Sequence, residues 1–89
     1  MEFEFDLAKS AANKQKHGID FVEAQAIWDD SSVLEVPGFS QNEPRYLIIG
    51  RLGTKHWAAI ITYRGNCVRL ISVRRARKEE IELYENQSD

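Results

Sequence analysis

The chain has 89 residues, of which 43% are hydrophobic and 29% charged, with a formal net charge of −2; that suffices for one compact domain with a modest core and is too little for two. One cysteine, Cys67, excludes an internal disulfide framework or a multi-cysteine zinc site. No apolar run approaches the roughly 20 residues of a membrane span, and the opening "MEFEFD" carries acids where a signal peptide carries cations. The expectation is a cytoplasmic protein without membrane association, residues 1–89 forming one domain with 85–89 as a polar tail.

"EFEF" alternates acid and phenylalanine, the period of a strand with one face on a core, so Phe3 and Phe5 point inward from a short edge strand. Asp6 can cap a helix over residues 7–16, which are mostly good helix formers, and Gly18 stands where a left-handed terminating residue is wanted. Asp20 and Glu23 have capping-box spacing, and Phe21, Ala24, Ile27 and Trp28 recur at helical intervals, predicting a second helix that stops near "DDSS". "VLEV" is a short strand before Pro37-Gly38, and "FSQNEP" is a loop. "RYLIIG", "HWAAIITY" and "CVRLISV" are strands with connections too short for parallel crossovers, hence an antiparallel meander. From Ala76 a helix follows, with Ile81 and Tyr84 spaced to lie back on the sheet. The predicted order is β-α-α-β-β-β-β-α, an α+β fold with a largely antiparallel sheet packed against helices. Cys67 is a small half-buried strand residue in this scheme.

The stretch "VRLISVRRARKEE" gathers Arg69, Arg74, Arg75, Arg77 and Lys78 in a chain that is acidic overall. Strand alternation puts Arg69, Ile71, Val73 and Arg75 on one face and Val68, Leu70, Ser72 and Arg74 on the other. The cations collect where the strand enters the last helix. Helix electrostatics disfavour cations at an N-terminus, so local stability does not explain them. For Arg77 and Lys78 the favoured reading is exposed pairing with a glutamate such as Glu82, at about 0.2–1 kcal/mol per pair. For Arg69, Arg74 and Arg75 a recruited anion competes with a structural ion pair; the planar guanidinium fork grips phosphate through two hydrogen bonds. Asp29-Asp30 superficially suggests a metal, but no histidine lies at ligand spacing, and neither metal nor cofactor is expected.

"NKQKHGIDFVEA", "EPR" followed by "IIG", and "RLISVRRARKEEIELY" resemble the BrnT family of type II toxins over nearly the whole chain. The matching positions are Asn13, Lys16, His17, Gly18, Ile19, Phe21, Glu23 and Ala24, then Glu43, Arg45 and Gly50, then Arg69, Ile71, Ser72, Arg74, Ala76, Glu80 and Tyr84. Many relatives carry a tryptophan just before the capping aspartate; here Phe5 keeps the aromatic character. The resemblance implies a RelE/ParE-like fold and a metal-independent ribonuclease that blocks translation. It also implies a BrnA-like ribbon-helix-helix antitoxin, through which alone operator DNA is bound.

Metal-free RNA cleavage needs a base for the ribose 2′-hydroxyl, cations for the charge building on the phosphate, and an acid for the leaving oxygen. Arg45, Arg69 and Arg74 are the candidate phosphate contacts, with Lys16, Arg75 and Arg77 as further RNA-binding cations. His17, Glu43 and Tyr84 are candidate base and acid. Each has a structural alternative: His17 as a cap beside Gly18, Glu43 as partner of Arg45 or the cation patch, Tyr84 as core. His56 reads as a surface residue. Two other classes would use the same arginines, a non-catalytic nucleic-acid-binding module and a protein-interaction subunit.

Overall fold

A computed structural model of the chain describes residues 1–38 and 42–87. Its order is β1 (Glu2–Glu4), α1 (Leu7–His17), a 3-10 helix (Glu23–Asp29), β2 (Leu34–Pro37), β3 (Tyr46–Leu52), β4 (Lys55–Arg64), β5 (Cys67–Arg75) and α2 (Lys78–Glu85). The strands form one sheet in the order β1-β5-β4-β3-β2. Every pairing is antiparallel except β1 with β5, which is parallel. The fold is thus mixed α+β, a five-stranded sheet packed against helices. Part of the expected loop, Phe39 to Gln41, and the last two residues of the expected tail lie outside the described residues. Glu85 closes α2, and the Gln87 amide donates to the Ser32 carbonyl at 2.7 Å.

Local signals explain the first elements. Asp6 accepts from the Lys9 N–H at 3.0 Å, capping α1, and Gly18 ends it at φ 80°. Asp20 and Glu23 cap each other's backbone N–H groups, as their spacing predicts. What they start, however, is a 3-10 helix, not the α-helix expected. Phe21, Ala24 and Ile27 are three apart, all fully buried. A helix of three residues per turn stacks such positions on one face.

That face packs on one side of the sheet with Ile48, Trp57, Ala59, Ile61, Val68, Leu70 and Val73, flanked by the edge-on ring pairs Phe3–Trp28 and Phe5–Phe21. The expected facing of β5 needs correction here. Ile60 lies opposite Ser72 but Ile61 lies opposite Leu70, so Ile71 is an extra residue, a β-bulge. The bulge reverses the alternation midway along the strand. Val68, Leu70 and Val73 therefore all reach the core, and Arg69 and Arg74 fall together on the second face, opposite Thr62 and Ala58. Arg75 goes to the core side, its guanidinium 5.4 Å from the centre of the Trp57 ring.

α2 covers part of the second face. It packs against β3 and is tied to Arg74, and Ile49 and Ala58 on that face are fully buried. Among the described residues, the part of that face beyond the start of α2 borders a concavity. Among the described residues no helix is long and apolar enough to cross a membrane.

Candidate nucleic-acid interface

Where α2 leaves the second face uncovered, the sheet forms the floor of a concavity of about 480 Å³. Leu47 and Ile60, cross-strand partners, supply apolar floor. Arg45 enters from the β2–β3 connection, Arg74 from the end of β5, Arg77 from the position that caps α2 and Glu80 from the first turn of α2. Three guanidinium-bearing residues, Arg45 from one stretch and Arg74 and Arg77 from another, thus border one space.

Two contacts fix the Arg45 side. Gly38 donates to the Arg45 carbonyl at 2.7 Å, an approach so close that a Cβ on Gly38 would stand 2.9 Å from that oxygen. The Thr62 hydroxyl donates to the Pro44 carbonyl at 2.7 Å, holding the incoming chain to β4. The other side is fixed by Glu80, which is buried. Its two carboxylate oxygens accept from Nη1 and Nη2 of Arg74 at 2.8 Å each, and one also accepts from the Arg77 backbone N–H at 2.7 Å. Arg74's hydrogen bonds hold the Glu80 carboxyl below its ordinary value although burial opposes this, and Glu80 raises Arg74 in return. Both groups are charged across the whole physiological range. Arg45 and Arg77 are exposed, and among the described residues neither belongs to an ion pair.

The remaining candidates stand elsewhere. Arg69, on the second face, is held by Glu4 of β1 at 2.8 Å. Lys16 and His17 are in the last turn of α1, which packs beside β5, and neither lines the concavity. Arg75 stacks on Trp57 and donates to the His56 carbonyl at 3.3 Å. Glu43 is half-buried on the loop that delivers Arg45, 4.0 Å from Arg64.

Tyr84 is buried and donates to Asp30 at 2.6 Å, bordering a separate open depression of about 420 Å³ that also includes Arg51 and Ser32. Burial raises the Tyr84 hydroxyl, and the Asp30 carboxylate adds to this. Burial would raise Asp30 too, but hydrogen bonds from Tyr84 and from the Ser32 and Arg51 N–H groups outweigh it and keep the carboxyl low. His56 meets the Tyr84 ring edge-on and lies 3.2 Å from Glu85. Among the described residues no group of three or more His, Cys, Asp or Glu is arranged to hold a metal ion.

Sequence reasoning about candidate side chains passed over Glu80, the floor residues Leu47 and Ile60, and Gly38. For Glu80 a signal existed: it stands three residues after Arg77, the spacing at which a helix's third residue reaches back to the capping position.

A concavity bordered by arginines on an apolar floor suits a phosphodiester chain carrying bases. Comparison with curated proteins gives no match. A family model described as "Ribonuclease toxin, BrnT, of type II toxin-antitoxin system" matches residues 5–80. That span contains β2 to β5, the concavity and Glu80, so the chain belongs to the BrnT family of ribonuclease toxins of type II toxin–antitoxin systems.

Proposed function

We propose that RNA is cut in the concavity between the β2–β3 connection and the start of α2, without a metal ion, and that this cutting blocks translation. The observation that carries the reading is the meeting of Arg45 with Arg74 and Arg77, from two chain stretches far apart in sequence, around one apolar floor. Neither Arg45 nor Arg77 forms an ion pair among the described residues, Arg77 acting on Glu80 only through space, so both guanidinium forks are available to phosphate oxygens. A base removes the 2′-hydroxyl proton, the 2′-oxygen attacks phosphorus, and the bond to the 5′-oxygen breaks. The products are a 2′,3′-cyclic phosphate and a 5′-hydroxyl, the latter protonated by an acid. None of the three base and acid candidates lines the concavity: Tyr84 is committed to Asp30, His17 stands in α1, and Glu43, 4.0 Å from Arg64, is on the loop that carries Arg45 and so is nearest to it along the chain. Glu43 is therefore assigned as base.

The same reading takes the fold as RelE/ParE-like and the antitoxin as a ribbon-helix-helix protein that carries the pair to operator DNA. Purified protein should cut messenger RNA in the presence of EDTA and leave cyclic-phosphate ends. Arg45→Ala and Arg77→Ala should each slow cutting about 100-fold to 1,000-fold, the range for removing one group that stabilises a developing oxyanion. Expression alone should arrest growth and amino-acid incorporation, and coexpression of the neighbouring ribbon-helix-helix protein should restore both. RNA that is bound but never cut would replace this reading with a non-catalytic binding module.

A further inference from the structure

The geometry points to Glu80 as a positioning residue that sets the charge and the spacing of the phosphate-binding arginines; this rests on the cleavage site proposed above. Arg74 presents both terminal nitrogens of its fork to Glu80 at 2.8 Å. It cannot offer that end to a phosphate without giving up two charge-assisted hydrogen bonds. The pair therefore acts as a neutral strut between the end of β5 and the first turn of α2. Through the Arg77 N–H, the same carboxylate fixes the backbone from which the exposed Arg77 side chain departs.

The charges bordering the concavity are three arginines and one glutamate, a net of +2. A phosphodiester in the ground state carries one negative charge, and the pentacoordinate arrangement formed after 2′-hydroxyl deprotonation carries two. Before proton transfer the base carries one of the two negative charges; after it the base is neutral and the dianion alone faces the +2, so fixed spacing matters most in the second state, the differential that accelerates a reaction. Removing the Glu80 charge would leave +3 and free Arg74 to swing. Binding of the ground state should tighten while the match to the transition state loosens.

Glu80→Gln is the direct test, with messenger RNA as substrate and thermal melts run alongside. KM should fall about threefold to fivefold, the effect of one extra cation near a phosphate. The value of kcat should fall about 10-fold to 100-fold, as expected for misplacement of the order of an ångström. Glu82→Gln, on the outer face of α2, should change neither. A role in stability alone would lower the melting temperature of Glu80→Gln and leave KM and kcat of the folded protein at parental values, which would overturn the inference.

If Glu80→Gln does not fold, Arg74→Met combined with Glu80→Met replaces the ion pair by apolar groups, a change that buried pairs often tolerate. This double variant keeps the net charge at +2 but loses the tether to Arg77. Its kcat should still fall about 10-fold or more, and a parental kcat would overturn the inference. The site itself is tested separately by Arg45→Ala combined with Arg77→Ala. If that variant is slow while Glu80→Gln is parental, only the positioning role fails; if it cuts at the parental rate, the site is elsewhere.

Discussion

Glu80 shows how one carboxylate can carry stability and position together. Because Arg74 holds its folded value below the ordinary 4.5, the stabilisation is fully present above about that pH and is lost as pH falls through the depressed value. Denaturation midpoints should therefore fall as pH drops below about 4.5, and Glu80→Gln should flatten that limb. Asp30 and Glu23 are also held low and should preserve part of it. At the alkaline end the relevant residue is Tyr63. Burial and the hydrogen bond it donates to Glu35 push its hydroxyl from 10.0 up to about 12. The bond is intact below pH 10 and is lost as pH rises through about 12. In a 295 nm absorbance titration Tyr63→Phe should remove a late-ionising tyrosine and leave the acid limb of stability unchanged.

At the scale of elements, the sheet has one weakness, and α1 repairs it. β1 is only three residues long and pairs β5 from Cys67 to Arg69, so among the described residues no strand pairs the outer edge of β5 from there on. At Val73 that edge is met by the Asn13 side chain. Its amide donates to the Val73 carbonyl at 2.9 Å and to the Ile19 carbonyl at 2.8 Å, and its oxygen accepts from the Val73 N–H at 3.1 Å. Asn13→Ala should leave three buried backbone groups unpaired and cost about 2–4 kcal/mol in urea denaturation, whereas an exposed alanine of the same helix, Ala12, should tolerate serine within about 0.5 kcal/mol. This dependence also shows which parts of the fold are legible in sequence. The caps at Asp6 and Gly18 and the antiparallel meander follow from rules that act within a few residues. The bulge at Ile71 does not, because it exists only in the register of β4 on β5, and alternation alone put Arg69 and Arg74 on opposite faces. The spacing of three in Phe21, Ala24 and Ile27 was visible, but 3-10 and α periods diverge too little over two turns to be separated without the surface they pack on.

Across the whole molecule the candidate site was legible as chemistry and not as geometry. Arg45, Arg74 and Arg77 are recognisable as cations suited to phosphate, yet their meeting depends on α2 folding back across the second face and on Gly38 closing against Arg45. Arg69 reads the same way in sequence and is instead taken by Glu4, a partner 65 residues away. The chain's net charge of −2 means that a polyanion is not drawn in by the molecule as a whole; attraction must come from the concavity at short range. Salt dependence should then count the few cations that touch phosphate and ignore the rest. Each such contact on single-stranded nucleic acid contributes about 0.7 to the slope of log K against log salt. Arg45→Ala with Arg77→Ala should therefore lower the slope for binding of a non-cleavable 2′-deoxy oligonucleotide by about 1.4. Lys16→Ala with Arg75→Ala, which removes two cations outside the concavity, should leave it unchanged. If the second pair lowered the slope as much as the first, RNA would be tracking the general surface of the protein, and a site confined to the concavity would have to be abandoned.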